Sequence, residues 1–397
     1  MTGEQQLPLA AVRIIDFTQV YSGPCCTQML GDFGADVIKI ERPGTGDLSR
    51  TSFPDEGGLD NPIFFSINRN KRSICVNTRT DAGREVIYDL VRDADVVVSN
   101  FRANVMDRLG FGYEKLRTIN PRVIWASATG FGSEGPYRHK GGQDVLTQAY
   151  TGLMWRRASE DLPVSIYATT LCDYTTGMHL TQGILLALLN RERTGEGQRV
   201  EVSMYDSMLH MQMQEACTQL NRGKEVNWAA TPLAGAFQTT DGAICMVGAF
   251  KENPLRDICA ALEISEDLSL RDEFATLEKQ YEHRPHLQRI FTERFATNST
   301  AYWMKRLEEQ DLLCAPVRTM EEALRDEQTI INKMIIEMQH PTAGAVRALG
   351  NPLHLSVTPA RVDRVPPRLG EHGEEVLAEI GYDSEKVSRL REQGVLG

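Results

Sequence analysis

A single aspartate, Asp173, stands at the head of the run "LCDYTTGMHLTQGILLALLNRERTGEGQ", residues 171–198. The apolar spacing of that run predicts a long helix. Aspartate is a favoured helix cap, a role that contributes about 1 kcal/mol, although Thr175, Thr176 or Gly177 could supply the start equally well. The same position suits chemistry. A carboxylate beside a helix N-terminus is held ionised by the partial positive charge there. An ionised carboxylate is a competent nucleophile toward an activated acyl group, and neighbouring backbone N–H groups could stabilise the oxyanion that forms. Spacing alone does not separate the two roles.

Basic residues form the second pattern, because they fall near strand ends. Arg42 closes "VIKIER", Lys71 and Arg72 open "KRSICVNTR" and Arg79 ends it. Arg102 follows "DVVVSNF", Arg108 comes about a helical turn later, and Lys140 sits in "RHKGGQD". Each by itself reads as a solvated charge. Gathered at one edge of a sheet they would clamp a polyanion such as a chain of phosphates. The chain as a whole carries a formal net charge of −11, which disfavours nonspecific nucleic-acid or membrane binding and makes a local basic cluster the more informative. Cys25 and Cys26 near a predicted helix start raise the option of an activated thiolate, but no histidine adjoins them in sequence as a base. His179, inside the long helix, reads as structural.

These residues need a frame, and the first half of the chain supplies one. "VRIIDF" is a strand, "SGPCCTQMLGDFG" a helix with Ser22 as cap and Gly34 as stop, and "ADVIKIE" a second strand. Further alternation follows: strand "RSICVNT", helix "DAGREVIYDLVRDA" with the stripe Val86, Ile87, Leu90 and Val91, strand "DVVVSN", a mostly helical stretch, and strand "RVIWASATGFG". Such alternation predicts an α/β fold with a parallel sheet covered on both faces. Ligands in these sheets bind at the carboxyl ends of the strands. The first turn, "TQVYSGPCC", lacks the glycine fingerprint of dinucleotide binders, so a nicotinamide or flavin enzyme is not expected.

The texture changes near residue 225, where "GAFQTTDGAICMVGA" predicts a hairpin turning at Asp241-Gly242. Residues 1–224 are therefore read as a large domain, 225–334 as a smaller α+β domain, and 335–397 as a return to the first. The longest apolar run, Ile184 to Leu189, is too short to span a bilayer, and "MTGEQQLPLAAVRI" does not read as a signal peptide. Eight cysteines without a C-x-x-C pair point to a reduced, cytoplasmic setting without structural metal.

Several blocks resemble a known family. "LAAVRIIDFTQVYSGPCCTQMLGDFGADVIKIERPGTGDLSR", "NRNKRSICVNTRTDAG", "NFRANVMDRLGFGYEKLRTINPRVIWASATGFGSEGPY", "DYTTGMHLTQGILLALLNRERTGEGQ" and "LGEHGEEVLAEIGY" are similar, in order, to blocks of the family III CoA-transferases, also called the CaiB/BaiF family. The N-terminal region most resembles formyl-CoA transferases. The resemblance implies a Rossmann-like large domain built from both chain ends, a small domain, and a homodimer of interlocked chains. It implies that Asp173 attacks an acyl-CoA thioester and then carries CoA as an aspartyl thioester. Coenzyme A and small carboxylic acids would be substrates, with no permanently bound cofactor and no metal. The CoA contacts implied are Arg42, Val76, Asn77, Thr78, Arg79, Asn100, Phe101, Arg102, Arg108 and Lys140.

Departures from the family pattern bear on substrate. Racemases of the family carry histidine in a "G-H-D" motif. Here Gln143 takes that place in "GGQD", and glutamine is no proton base at neutral pH. Formyl-CoA:oxalate members have histidine at the place of Gln19 and glutamine at the place of Tyr21, and they carry a glycine run in the small domain that is absent between residues 225 and 260. The expected function is CoA transfer from an acyl-CoA to a carboxylic acid other than oxalate, with a dicarboxylate such as succinate as donor or acceptor. A racemase or a catalytically silent CoA-binding protein are the alternatives.

Overall fold

The computed structural model describes residues 6–52 and 61–397; the first five residues of the N-terminal stretch discussed above lie outside it. Two compact units emerge. One comprises residues 1–153, 166–212 and 330–397, and the other residues 154–165 and 213–329. The smaller unit thus starts at 213 rather than 225 and also takes in a segment ahead of the long helix.

The large unit is built on six parallel strands: β1 (Arg13–Asp16), β2 (Asp36–Glu41), β3 (Lys71–Cys75), β4 (Val96–Ser99), β5 (Ile124–Thr129) and β6 (Arg199–Ser203). Their order is β3-β2-β1-β4-β5-β6, that of a doubly wound sheet whose order reverses between β1 and β4. Alternate side chains of each strand face opposite sides. Ile14, Val37, Val96, Val98 and Ile124 meet Cys26 and Leu30 of helix Ser22–Asp32, together with Leu180, Ile184 and Leu188 of helix Leu171–Thr194. Ile15, Ile38, Ile74, Val97 and Trp125 face the other way. There they meet the stripe Val86, Ile87, Leu90 and Val91, along with Val376, Leu377, Val387 and Leu390 from the last turns of the chain. The two ends of the sequence therefore share one core.

One detail of the sequence reading changes. Ser22 is the first residue of its helix and Tyr21 occupies the cap position, where no side-chain cap bond forms. In the long helix, Ile184 and Leu188 are buried, but Leu185 and Leu189 are 41% and 63% exposed in the single chain. One face of that helix packs on the sheet, and the opposite face, with Leu186, remains uncovered.

In the smaller unit, β7 (Ala234–Gln238) and β8 (Ala243–Val247) form the hairpin around Asp241-Gly242. The stretch "CAPV" contributes β9 (Leu313–Pro316), antiparallel to β8. Phe237, Phe291, Phe295 and Trp303 centre its core. Among the described residues no helix is long and apolar enough to cross a membrane.

Candidate active site

Where the strand order reverses, the loop after β1 and the loop after β4 separate and leave a crevice at the carboxyl edge. Asn100, just past β4, holds the β1 loop in both directions: the Gln19 N–H donates to its Oδ1 at 2.9 Å, and its Nδ2 donates to the Gln19 carbonyl at 2.8 Å. A pocket of about 320 Å³ opens here, and Gln19, Tyr21, Asn100, Phe101, Arg102, Gln143 and Asp173 all line it.

Two glycines close the walls. A Cβ on Gly177 would stand 2.6 Å from the Ser22 carbonyl, so glycine lets the head of helix Ser22–Asp32 rest against the long helix. A Cβ on Gly130 would stand 2.5 Å from the Gly142 Cα, so the two ends of the loop after β5 touch backbone to backbone.

Asp173 lies in the first turn of the long helix, but it is not the cap. Thr170 holds the cap position and makes no side-chain cap bond. The cap comes from elsewhere in the chain: buried Asp144 accepts from the N–H groups of Cys172, at 2.8 Å, and Asp173, at 2.9 Å, through Oδ2. Its Oδ1 is fixed by the Gln148 amide at 2.6 Å. The Asp173 side chain is thereby released from capping and faces the pocket. Burial, followed by the charge of Asp144, pushes its carboxyl up to about 6, against hydrogen bonds from the Ser22 hydroxyl and backbone N–H. The helix N-terminus thus does not hold Asp173 at an ordinary carboxylate acidity, as its place in the sequence suggests. Above pH 6 the group is ionised and more basic than an ordinary aspartate, which suits a nucleophile. Tyr21 keeps its phenol proton, since burial pushes that group up, and it is bonded to the Thr170 side chain near Asp173.

Asp144 is the residue that sequence reasoning missed. It is the last residue of "GGQD", directly after Gln143. A buried aspartate whose partners lie 28 and 29 positions further on leaves no local pattern.

A second groove, about 540 Å³, adjoins the first through Gln19 and Phe101, which line both. Phe17 and Ile40 contribute apolar surface, and Arg42, Val76, Asn77, Thr78 and Arg79 line it. Glu41 also borders this groove, but its charge is offset: Arg50 grips both carboxylate oxygens and Ser73 donates to one, which holds Glu41 below its usual range against the effect of burial. Arg42, Arg79, Arg102 and Arg108 are exposed and form no ion pair among the described residues.

Arg108 and Lys140 line neither cavity. Arg108 is on helix Val105–Leu109, whose two terminal residues do border the groove. The Lys140 ammonium sits over the rings of Tyr137 and Tyr150, 4.5 and 4.9 Å from their centroids. Lys71 and Arg72 belong to neither cavity, because they open β3 and so lie at the opposite edge from Arg79. Lys71 is fully buried against Asp16, Asn68 and the Pro24 carbonyl. Arg72 is bound by Asp36, Glu375 and Glu379. Burial pushes the Cys25 and Cys26 thiols up to about 11 and about 12, so neither offers a thiolate at neutral pH.

Comparison with known proteins places the chain in a family. The profile of CoA-transferase family III matches residues 9–373. A formyl-CoA:oxalate CoA-transferase of Rhodopseudomonas palustris is 35% identical, over 98% of this chain and 97% of its own. The succinyl-CoA:glutarate CoA-transferase of Mus musculus is 32% identical, over 98% of this chain and 90% of its own. Among solved structures, a CaiB/BaiF family protein from Brucella suis superposes with a TM-score of 0.84 at 30% identity, covering 95% of this chain and 100% of that one. On sequence and on structure alike, the chain belongs to family III of the CoA-transferases.

Proposed function

We propose that this protein transfers CoA between an acyl-CoA and a free carboxylic acid, with Asp173 as the covalent nucleophile. The observation that carries the reading is the release of Asp173 from capping by Asp144, which leaves a basic carboxylate facing a pocket that joins a groove bordered by unpaired arginines. The Asp173 carboxylate attacks the thioester carbonyl and expels CoA thiolate, giving a mixed anhydride. The thiolate adds to the aspartyl carbonyl and expels the donor acid. An acceptor carboxylate then attacks the aspartyl thioester, and the thiolate released takes the acceptor acyl group, restoring Asp173.

In this reading Arg42, Arg79 and the backbone of Val76–Arg79 receive CoA, with Arg108 and Lys140 meeting its outer phosphates. Gln19, Tyr21, Arg102 and Gln143 face the acids. A dicarboxylic acceptor is favoured: the relatives include enzymes named for oxalate and for succinyl-CoA with glutarate, and Tyr21 with Gln19 departs from the oxalate pattern. Gln143, where a racemase needs a base, argues against α-proton exchange. The uncovered Leu185, Leu186 and Leu189 support a homodimer, and unpaired cysteines a cytoplasmic setting.

The decisive experiment incubates the protein with succinyl-CoA and other acyl-CoAs, traps with hydroxylamine or borohydride, and maps the modified residue by mass spectrometry. A label on Asp173, with transfer lost in Asp173→Ala, is expected. Transfer retained by Asp173→Ala would sink the mechanism.

A further inference from the structure

Val20 has φ +67°, a left-handed backbone that a β-branched residue rarely adopts. It sits between Gln19 and Tyr21, two residues of the pocket wall. Such a conformation persists only where the surroundings over-determine it, and here they do. The Val20 N–H donates to Asp47 Oδ1 at 3.0 Å. The other oxygen of Asp47 faces the Lys39 ammonium at 2.7 Å, and Lys39 itself donates to the Thr18 carbonyl at 2.8 Å. Both side chains are fully withdrawn from solvent. Asp47 is in turn held by its own N–H on Glu41 and by the Ser49 N–H and hydroxyl on its Oδ1. With Asn100 gripping Gln19, each residue from Thr18 to Val20 is fastened by a side chain from another segment. A buried ion pair is a costly way to add stability. One that ends on a strained turn in the pocket wall has a different use.

We infer that Asp47, oriented by Lys39, is a positioning residue that locks the turn at Val20 and so aims Gln19, Tyr21 and Ser22 at Asp173. For its effect on turnover the inference rests on Asp173 being the nucleophile. Without Asp47 the turn relaxes toward ordinary backbone, and the groups facing the reacting carbonyl lose their placement. Glycine at position 20 adopts the left-handed conformation without that support. The turn and its pin are therefore energetically coupled, and a second substitution offsets the first.

The test compares wild type, Asp47→Ala, Val20→Gly and the double variant, with Asp47→Asn as a milder form that keeps an acceptor for the Val20 N–H. Amide exchange followed by mass spectrometry reads the pin with no substrate present. The segment spanning residues 18–22 is expected to be protected in wild type and to exchange at least about tenfold faster in Asp47→Ala. In single-turnover acylation by an acyl-CoA, Asp47→Ala is expected to lose about 30-fold in rate, with acyl-CoA affinity within about threefold. Val20→Gly in the same background is expected to regain about fivefold or more. Wild-type exchange already unprotected across 18–22 overturns the inference, and this reading survives even if Asp47→Ala fails to fold. Protection lost with acylation unchanged, or a rate loss that Val20→Gly leaves untouched, also overturns it. A wild type that never labels Asp173 defeats the nucleophile reading instead; the exchange measurement still decides whether Asp47 pins the turn.

Discussion

The two edges of the parallel sheet carry arginines of the same kind with opposite fates. At the amino edge, Arg13 pairs with Asp36 and Glu379, Arg72 with Asp36, Glu375 and Glu379, and Arg191 with Asp95. At the carboxyl edge, Arg42, Arg79 and Arg102 border cavities and meet no acidic partner among the described residues. In an acidic chain, leaving three guanidinium groups unpaired on one edge concentrates positive potential there. Arginine at a strand end is uninformative; arginine kept apart from carboxylates is left free to meet an anion, as the proposed CoA site requires.

The comparison breaks most visibly at Asp173, the one carboxylate facing the pocket from the long helix. Asp173→Asn is expected to lose at least about a thousandfold in kcat, because the amide is no nucleophile; steady-state transfer assays measure it. An arginine contrast comes next. Arg42→Ala or Arg79→Ala should raise KM for acyl-CoA about tenfold, an effect that shrinks as salt rises. Arg13→Ala at the other edge should leave KM within about twofold and instead lower the unfolding free energy by about 1 kcal/mol. Equal KM effects at both edges would remove the distinction.

A smaller effect lies in pH. The rate of Asp173 acylation should rise as pH increases through about 6 and then level off, and Asp144→Asn should move that midpoint downward by removing the neighbouring charge. The smallest effect is on stability. Because the folded carboxyl binds its proton more tightly than in the unfolded chain, its ionisation costs stability as pH rises from about 4 to about 6. Asp173→Asn should therefore be more stable than wild type at pH 8 by about 1–2 kcal/mol, the full shift being discounted for partial exposure, and equal to it near pH 4. Denaturant titrations at the two pH values check the sign.

The frame was legible because its signals are local. The stripe Val86, Ile87, Leu90 and Val91 is buried as its spacing predicts, and Asp241-Gly242 turns its hairpin. What local pattern cannot carry is direction and distance. Lys71 and Arg72 resemble Arg79 in type, but they open their strand, and a parallel sheet sends openings and endings to opposite edges. Asp144 caps a helix that begins 27 residues beyond it. Leu185 and Leu189 continue an apolar periodicity that packing within one chain does not use. Of the residues implied for CoA, Arg42, Val76, Asn77, Thr78, Arg79 and Phe101 share one groove, Asn100 and Arg102 line the adjoining pocket, and Arg108 and Lys140 stand outside both.

The two hydrogen bonds from Cys172 and Asp173 to Asp144 bear on which covalent species accumulates. A carboxyl near pKa 6 is a poorer leaving group than a substrate acid near about 4. In either mixed anhydride of the proposed cycle, expelling the substrate acid is thus easier than expelling Asp173. In that proposed cycle the returning thiolate would be directed to the aspartyl carbonyl, making an enzyme-bound CoA thioester the species that accumulates. The cap that frees the nucleophile would then also set how long CoA waits on the protein for its next acid.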